Sequence, residues 1–211
     1  MTAQPPGNPE EPHSQEIRHS HVGALVPAHV ARGTFSTGAV VLQGQHEFIV
    51  DFLLRMQQPQ QVAARVVLPP AVMGQFIQAL RDNLKKHEDR FGPIQMPETP
   101  PPPADAQRQS AQDLYDQLKL SDDVMSGTYA NAVMIGHTAS EFSLDFITTF
   151  FPKSAVAARV FLASPNAKKL LDSLNHSFQQ FQQRIRNPPT PPVPPPPPPP
   201  DEPPPYHPEN N

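Results

Sequence analysis

The feature of this sequence that most constrains its fold is an internal repeat at an offset of 94 residues. The tripeptide Gly-Thr-Phe at 33–35 recurs as Gly-Thr-Tyr at 127–129, and Val-Ala-Ala-Arg-Val at 62–66 recurs unchanged at 156–160. A match of this length and spacing indicates a tandem duplication of one structural unit. The chain must therefore fold as two related units.

Proline marks the edges of the repeat. The chain contains 31 prolines in 211 residues, about three times the usual share, and they concentrate outside the repeated segments. Each copy has about 70 residues, close to the lower limit for an independent core, so we expect the two copies to pack together as an internal pseudo-dimer. The predicted organisation is a disordered N-terminal arm at 1–19, copy one at 20–94, a Pro-rich linker at 95–115, copy two at 116–187 and a disordered polyproline tail at 188–211.

Within each copy the hydrophobic period changes from 2 to 3.6, which predicts strands followed by a long amphipathic helix. The predicted fold class is α+β, with two tandem β-β-β-α modules, each an antiparallel sheet plus one helix. Short leading segments at 23–26 and 117–120 are candidates for a fourth strand. In copy two, Ser164 is the predicted N-cap of the helix and Pro165 its first residue. The main predicted strands are centred on 39–42, 48–52 and 62–68 in copy one and on 132–135, 142–146 and 156–162 in copy two.

Composition excludes several functional classes. There is no Cys, so disulfides, thiol nucleophiles and zinc–thiolate sites are absent. A net charge of −4 and a pI near 6.1 argue against nucleic acid and anionic membrane surfaces as partners. Because the sequence lacks a signal peptide and an apolar run of about 20 residues, we expect a soluble cytoplasmic protein. No cofactor is expected.

Several motifs in the two copies are those of a known family. Copy two has Gly-Thr-Tyr-Ala-Asn-Ala at 127–132, a stretch from Gly-His-Thr to Leu-Asp-Phe at 136–146, Ala-Ala-Arg-Val at 157–160 and Ser-Pro at 164–165. Copy one has a similar set, but Gly-Gln-His at 44–46 replaces the Gly-His-Thr-x-Ser turn. These motifs resemble the bacterial family called domain of unknown function 3467. The resemblance implies two tandem copies of that domain and carries over no catalytic residues.

Acidic and basic residues recur at matching strand positions. Asp51 and Arg65 in copy one correspond to Asp145 and Arg159 in copy two, and a glutamate stands four residues before each aspartate. Carboxylates four residues apart on a strand are separated by about 13 Å, farther than the ~6.5 to 9.5 Å between the two carboxyl groups of an inverting glycosidase. We interpret the four residues as structural cross-strand ion pairs, with anion binding by the arginines as the lesser alternative.

Two histidine motifs offer weaker signals. His137 lies in a predicted turn of copy two close to Ser140, but nucleophilic catalysis would need a hydrogen bond between them, and copy one lacks the arrangement. His19 and His21 in the N-terminal arm form a His-x-His motif that would need a third ligand to hold a metal. We therefore predict no catalytic, cofactor or metal site.

The polar side of each predicted sheet carries more apolar residues than one helix can cover. Packing between the copies explains this most economically, and a further subunit or a partner is the alternative. In the tail, Pro-Pro-Pro-Tyr at 203–206 fits the pattern bound by WW-type grooves, although a spacer is the favoured interpretation. The candidate partner-binding residues are Ile49, Leu53, Val67, Ile147, Phe161 and Tyr206.

These observations predict a non-enzymatic protein-interaction or assembly module that binds a protein partner. A homo-oligomer is compatible with the apolar surface. One alternative is an enzyme whose site lies at the junction of the copies, where His137 is the candidate because only copy two carries it. A second alternative is a chaperone-like binder of unfolded chains.

Overall fold

The structure of the chain is a computed structural model. The predicted N-terminal arm with His19 and His21, and the predicted tail with Tyr206, lie outside the residues that it describes. The described residues are 23–56, 58–98, 111–150 and 152–187.

Copy one contains three long strands followed by one long helix. Its elements are α1 (Ala28–Ala31), β1 (Thr34–Ser36), β2 (Gly38–Gln43), β3 (Phe48–Leu54), β4 (Gln60–Leu68) and α2 (Pro70–Phe91). Helix α2 begins with a proline, which is tolerated in the first turn because the N–H there has no partner within the helix. It ends before Gly92, whose φ of 87° is one that glycine adopts readily because it has no Cβ.

Copy two also has three long strands and one long helix, but a longer leading segment precedes them. Its elements are α3 (Ala111–Tyr115), β5 (Leu118–Lys119), α4 (Asp122–Met125), β6 (Thr128–Tyr129), β7 (Ala132–His137), β8 (Glu141–Thr148), β9 (Ala155–Ala163) and α5 (Ser164–Arg186). Helix α3 lies inside the segment predicted as linker. It is followed by a backbone bond from the Asp116 N–H to the Gln112 carbonyl, which extends its turn towards β5.

The elements confirm the predicted α+β class. Strands β2, β3 and β4 pair as an antiparallel sheet in copy one, and β7, β8 and β9 do the same in copy two. Both sheets carry a register irregularity at the same place, between Phe52 and Leu53 and between Phe146 and Ile147. A bulge adds one residue to a strand and turns the following side chains to the other face.

The copies exchange their leading segments. Strand β1 of copy one pairs in parallel with β9 of copy two, and β6 of copy two pairs in parallel with β4 of copy one. Strand β5 also pairs with β4. A strand that pairs in parallel with β4 or β9 cannot be joined to it by a tight turn, because parallel strands need a crossover connection. Each copy therefore protects one sheet edge of the other.

The long helices cross between the copies as well. Helix α2 packs on β7 of copy two, α5 packs on β2 of copy one, and the two helices contact each other. One continuous buried cluster results, with twelve residues from copy one and ten from copy two. No helix in the described part of the chain has an apolar stretch long enough to cross a bilayer.

Two sequence predictions of local structure need correction. Ser164 is the first residue of α5 and not its cap; Ala163 is the N-cap, and the Ser164 hydroxyl lies 3.3 Å from Nε2 of His87. The buried environment of the hydroxyl, where a partner from α2 is available, outweighs the local capping preference. Of the leading segments, 23–26 forms a single bridge from Leu25 to Ala155, and 117–120 forms the two-residue β5.

Candidate functional site

A buried ion pair joins strands β3 and β4 of copy one. Arg65 donates from Nε to Oδ1 of Asp51 and from Nη2 to Oδ2, both at 2.8 Å. The Asp51 side chain is fully buried, and 13% of the Arg65 side chain is exposed. The Tyr115 hydroxyl donates to Oδ2 of Asp51, and Nη1 of Arg65 donates to the carbonyl oxygen of Met125 at 3.0 Å. The pair in copy one therefore holds two groups of copy two.

The same arrangement occurs in copy two. Arg159 donates from Nε and Nη2 to the two carboxylate oxygens of Asp145, both at 2.7 Å. Its Nη1 lies 3.5 Å from the carbonyl oxygen of Ala31 in copy one. This pair is more open, with 23% of the Arg159 side chain and 8% of the Asp145 side chain exposed. Each arginine thus reaches the leading segment of the opposite copy.

The ion pairs keep these groups in one charge state. The hydrogen bonds that Arg65 donates to Asp51 raise the pKa of its guanidinium above the usual range, and those that Arg159 donates to Asp145 do the same for Arg159. Burial, followed by the hydrogen bond to Asp51, raises the pKa of Tyr115. The arginines therefore stay charged and the tyrosine stays protonated at neutral pH.

An open groove of about 370 Å³ lies at the junction of the two copies, along strands β4 and β9. Neither α2 nor α5 contributes to its lining. Both arginines of the ion pairs border it, and the small side chains beside them make room for the opening. The lining residues are His29, Val30, Gly33, Thr34, Ala63, Ala64, Arg65, Asp123, Val124, Gly127, Thr128, Ala157, Ala158 and Arg159.

The lining of the groove is nearly the same in the two copies. Its lining consists of seven pairs of positions 94 residues apart, and six of these pairs are identical. Across positions 23–92 as a whole, only 15 of 70 residues are identical to the residue 94 positions later. The unequal pair is His29 and Asp123. Ion pairing and close packing account for the arginines and glycines. Thr34 and its equivalent Thr128 lie in the exchanged strands, but the side chain of neither forms a hydrogen bond among the described residues.

Two glycines in the lining allow the exchanged segments to come close. Gly33 has φ 65°, and a Cβ there would lie 2.4 Å from a ring carbon of Phe161. We expect Gly33→Ala to lower the free energy of unfolding by about 2 kcal/mol or more, because it adds a clash to the cost of a left-handed backbone. Urea unfolding measures the change.

Gly92→Ala provides the control for backbone strain alone. Gly92 also has a positive φ, of 87°, but a Cβ there would meet nothing within 4 Å. Because its φ of 87° and ψ of 176° lie in a region that residues with a Cβ rarely adopt, we expect a cost of about 1 to 3 kcal/mol. A loss below about 1 kcal/mol at Gly33 would show that β1 and β9 accommodate a Cβ there without a clash.

A second depression of about 470 Å³ adjoins the groove and shares Thr34, Ala63, Asp123 and Val124 with it. Exposed apolar side chains occur on these leading segments and on the strand ends. Phe35 is 46% exposed and Met56 is 75% exposed, and both line the second depression. At the equivalent positions of copy two, the rings of Tyr129 and Phe150 stack with centroids 5.9 Å apart.

Sequence reasoning did not select these four residues. Phe35 and Tyr129 lie in strands too short to show a period, and Met56 and Phe150 lie just beyond β3 and β8. The available signal was the repeat itself, because large apolar residues recur at both pairs of positions within otherwise polar segments.

The structure revises the predicted partner-binding set. Leu53 is fully buried and Ile147 is 8% exposed, so neither lies on a free surface, and their selection was wrong. The register irregularity before each of them turns these side chains away from the face that alternation predicts. Val67 pairs with Tyr129, and Phe161 pairs with Phe35, so the exchanged segments partly cover both.

Ile49 is half-buried on β3, between Leu42 and Val67 in the register. His137, at the end of β7, lies against aromatic rings, with its centroid 5.4 Å from that of Phe142. Ser140 donates its hydroxyl hydrogen bond to Glu141 at 2.7 Å, and no hydrogen bond joins it to His137 in the described structure. The turn therefore lacks the contact that a serine nucleophile requires.

Within the described ranges no group of three or more His, Asp or Glu side chains is arranged to hold a metal ion.

A family model described as "Protein of unknown function (DUF3467)" matches the chain twice, over residues 3–96 and over residues 102–186. Neither a curated protein nor a solved structure matches the chain.

Proposed function

The chain belongs to the DUF3467 family and carries two tandem copies of its domain, and we propose that it is a non-enzymatic module that binds a protein partner in the groove between the copies. The observation that carries this proposal is the near-identity of the groove lining in copies that differ at most other positions. A role in binding explains the retention of the Thr34 and Thr128 side chains, which form no hydrogen bond among the described residues although the backbone of each residue lies in an exchanged strand.

The shape of the site favours an extended segment of a protein as the ligand. The groove and the adjoining depression are open and continuous, whereas small-molecule sites usually enclose most of the ligand. The exposed side chains of Phe35, Met56, Tyr129 and Phe150 offer apolar contacts beyond the groove. Such aromatic and Met side chains are typical anchors of protein interfaces.

The reciprocal contacts support an internal pseudo-dimer of two β-β-β-α modules as the framework of this site. The groove needs both copies, because half of its lining comes from each. In this proposal the duplication places two equivalent half-sites side by side in one chain, and binding takes place in the cytoplasm.

The proposal is tested by narrowing the groove. Peptides that bind the full chain are first selected from a displayed random library. We expect Ala63→Gln to weaken their binding by tenfold or more, because the longer side chain fills the opening. Fluorescence anisotropy of labelled peptides measures the change in affinity. Thermal unfolding verifies that the variant is folded.

Ala79→Gln is the matched control, since Ala79 is also partly exposed but lies on α2, outside the groove. Its affinity for the same peptides should equal that of the wild type. Equal binding by all three proteins would refute the groove as the binding site. Failure to select any peptide would count against protein binding itself.

A further inference from the structure

One end of the interface between the copies contains two histidines that the other end lacks. His87 lies on α2 and is 3% exposed, and its ring centroid is 5.6 Å from that of His137 on β7. At the positions 94 residues away, Phe181 and Gln43 take the places of His87 and His137. Phe181 packs on Phe48 with centroids 5.0 Å apart, as His87 packs on Phe142. The two ends share a geometry and differ in chemistry.

The hydrogen bonds of His87 define its protonation. Its Nε2 lies 3.0 Å from the carbonyl oxygen of Ala139 and 3.3 Å from the Ser164 hydroxyl, both in copy two. Because a carbonyl oxygen only accepts, Nε2 carries the proton and donates it, and Nδ1 of the neutral ring carries none. Nδ1 is buried and has no partner among the described residues. A proton added there would become an unsatisfied buried donor.

His137 is half-buried, unlike His87. Its Nδ1 is also buried without a partner in the described part of the protein. Burial lowers the pKa of His137 below its ordinary value, and the nearby His87, Arg90 and Lys86 lower it further. A charge on His137 would therefore face the ring of His87 and two cations of α2.

The carboxylates around the two rings are already engaged. Glu88 on α2 binds Nζ of Lys168 on α5 at 3.0 Å. Glu141 on β8 accepts from the hydroxyls of Ser140 and Thr138 at 2.7 and 2.9 Å. Neither forms an ion pair with a histidine in the described chain. The charge of Glu88 also acts on His87, but its carboxylate is paired with Lys168, and no carboxylate in the described chain is hydrogen-bonded to either imidazole.

We propose that the contact between His87 and His137 is a pH-sensitive switch that opens one end of the inter-copy interface on acidification. The phenylalanine end, which contains no titratable group at these positions, stays closed. Opening would separate the last turns of α2 from the 138–140 turn and from the start of α5, where Ala139 and Ser164 now contact His87.

The direction follows from the pKa of His137. Since the folded value is lowered, the unfolded or opened form takes up protons more readily below about pH 6.5, the ordinary value for histidine. The stabilisation is complete above about pH 6.5 and decreases as the pH falls below it. Acid therefore favours the open form.

The chain itself supplies the test variants. The double variant H87F/H137Q places the residues of the phenylalanine end at the histidine end. Between about pH 7.5 and pH 5, we expect the Tm of the wild-type full chain to fall by about 3 °C or more beyond the fall of the double variant. Equal falls in the two proteins would overturn the proposal. Should the double variant not fold, the same comparison applies to H137Q.

Hydrogen exchange on the wild-type full chain locates the opening. After correction for the intrinsic effect of pH, the amides of residues 84–92 at the end of α2 should lose protection at about pH 5. The equivalent amides of residues 178–186 on α5 should keep theirs. Equal loss at both ends, or no loss at either, would show that the histidines do not control the interface.

Discussion

Replacing Asp51 with Ala is expected to lower the free energy of unfolding by about 3 to 5 kcal/mol, a large part of the stability of an ordinary domain. The variant leaves the Arg65 guanidinium largely buried without its carboxylate and removes the acceptor of the Tyr115 hydroxyl. It also removes the carboxylate that positions Arg65 for its hydrogen bond to the carbonyl oxygen of Met125. Equilibrium unfolding in urea measures the loss.

Two control variants separate burial from charge. Asp145→Ala should cost less than Asp51→Ala, because Asp145 and Arg159 are more exposed. Asp89→Ala breaks the exposed pair with Lys85 on α2 and should change the free energy of unfolding little, because solvent and salt screen exposed ion pairs. A loss at Asp51 as small as the loss at Asp89 would show that the buried pair does not stabilise the fold.

Separating the two copies should have an even larger effect. Fragment 20–98 loses strand β6, which pairs with β4, and the ten core residues of copy two. Fragment 111–187 loses strand β1, which pairs with β9, and the twelve core residues of copy one. We expect neither fragment to form a folded monomer, and we expect an equimolar mixture to assemble into a one-to-one complex. Light scattering gives the masses, and circular dichroism reports the folding.

Isolated copies that self-associate would agree with this expectation, because the groove residues of the copies are nearly identical and two equal copies can exchange segments. A folded monomer of either fragment with cooperative unfolding would contradict it. The second fragment begins at Ala111 so that it retains Tyr115, which contacts Asp51 of copy one.

The long elements could be predicted from the sequence because their signals are local. The apolar alternation at 62–68 and the 3.6-residue period of the long helices recur in both copies, and the observed β4, β9, α2 and α5 include them. Prediction was weaker at Leu53 and Ile147, where a register irregularity interrupts the alternation. It was also wrong at Ser164, where a partner on α2 outweighs the capping preference.

The candidate site was less predictable because its parts come from distant segments. Arg65 and Arg159 were selected from their matching positions, but Thr34, Thr128 and the alanines carry no chemical signal of their own. Their importance becomes visible only when the groove identifies them as one set. His87 had no signal either, since a histidine on the apolar face of a helix resembles any core position.

The sequence by itself determined that two related α+β units exist, because periodicity and repetition act within each copy. Tertiary structure decided how the copies share their parts: β1 lies on β9, β6 lies on β4, and each long helix packs on the opposite copy. These pairings depend on which exposed edges and apolar faces are left uncovered after local folding, and the free energy of covering them is a property of the whole chain.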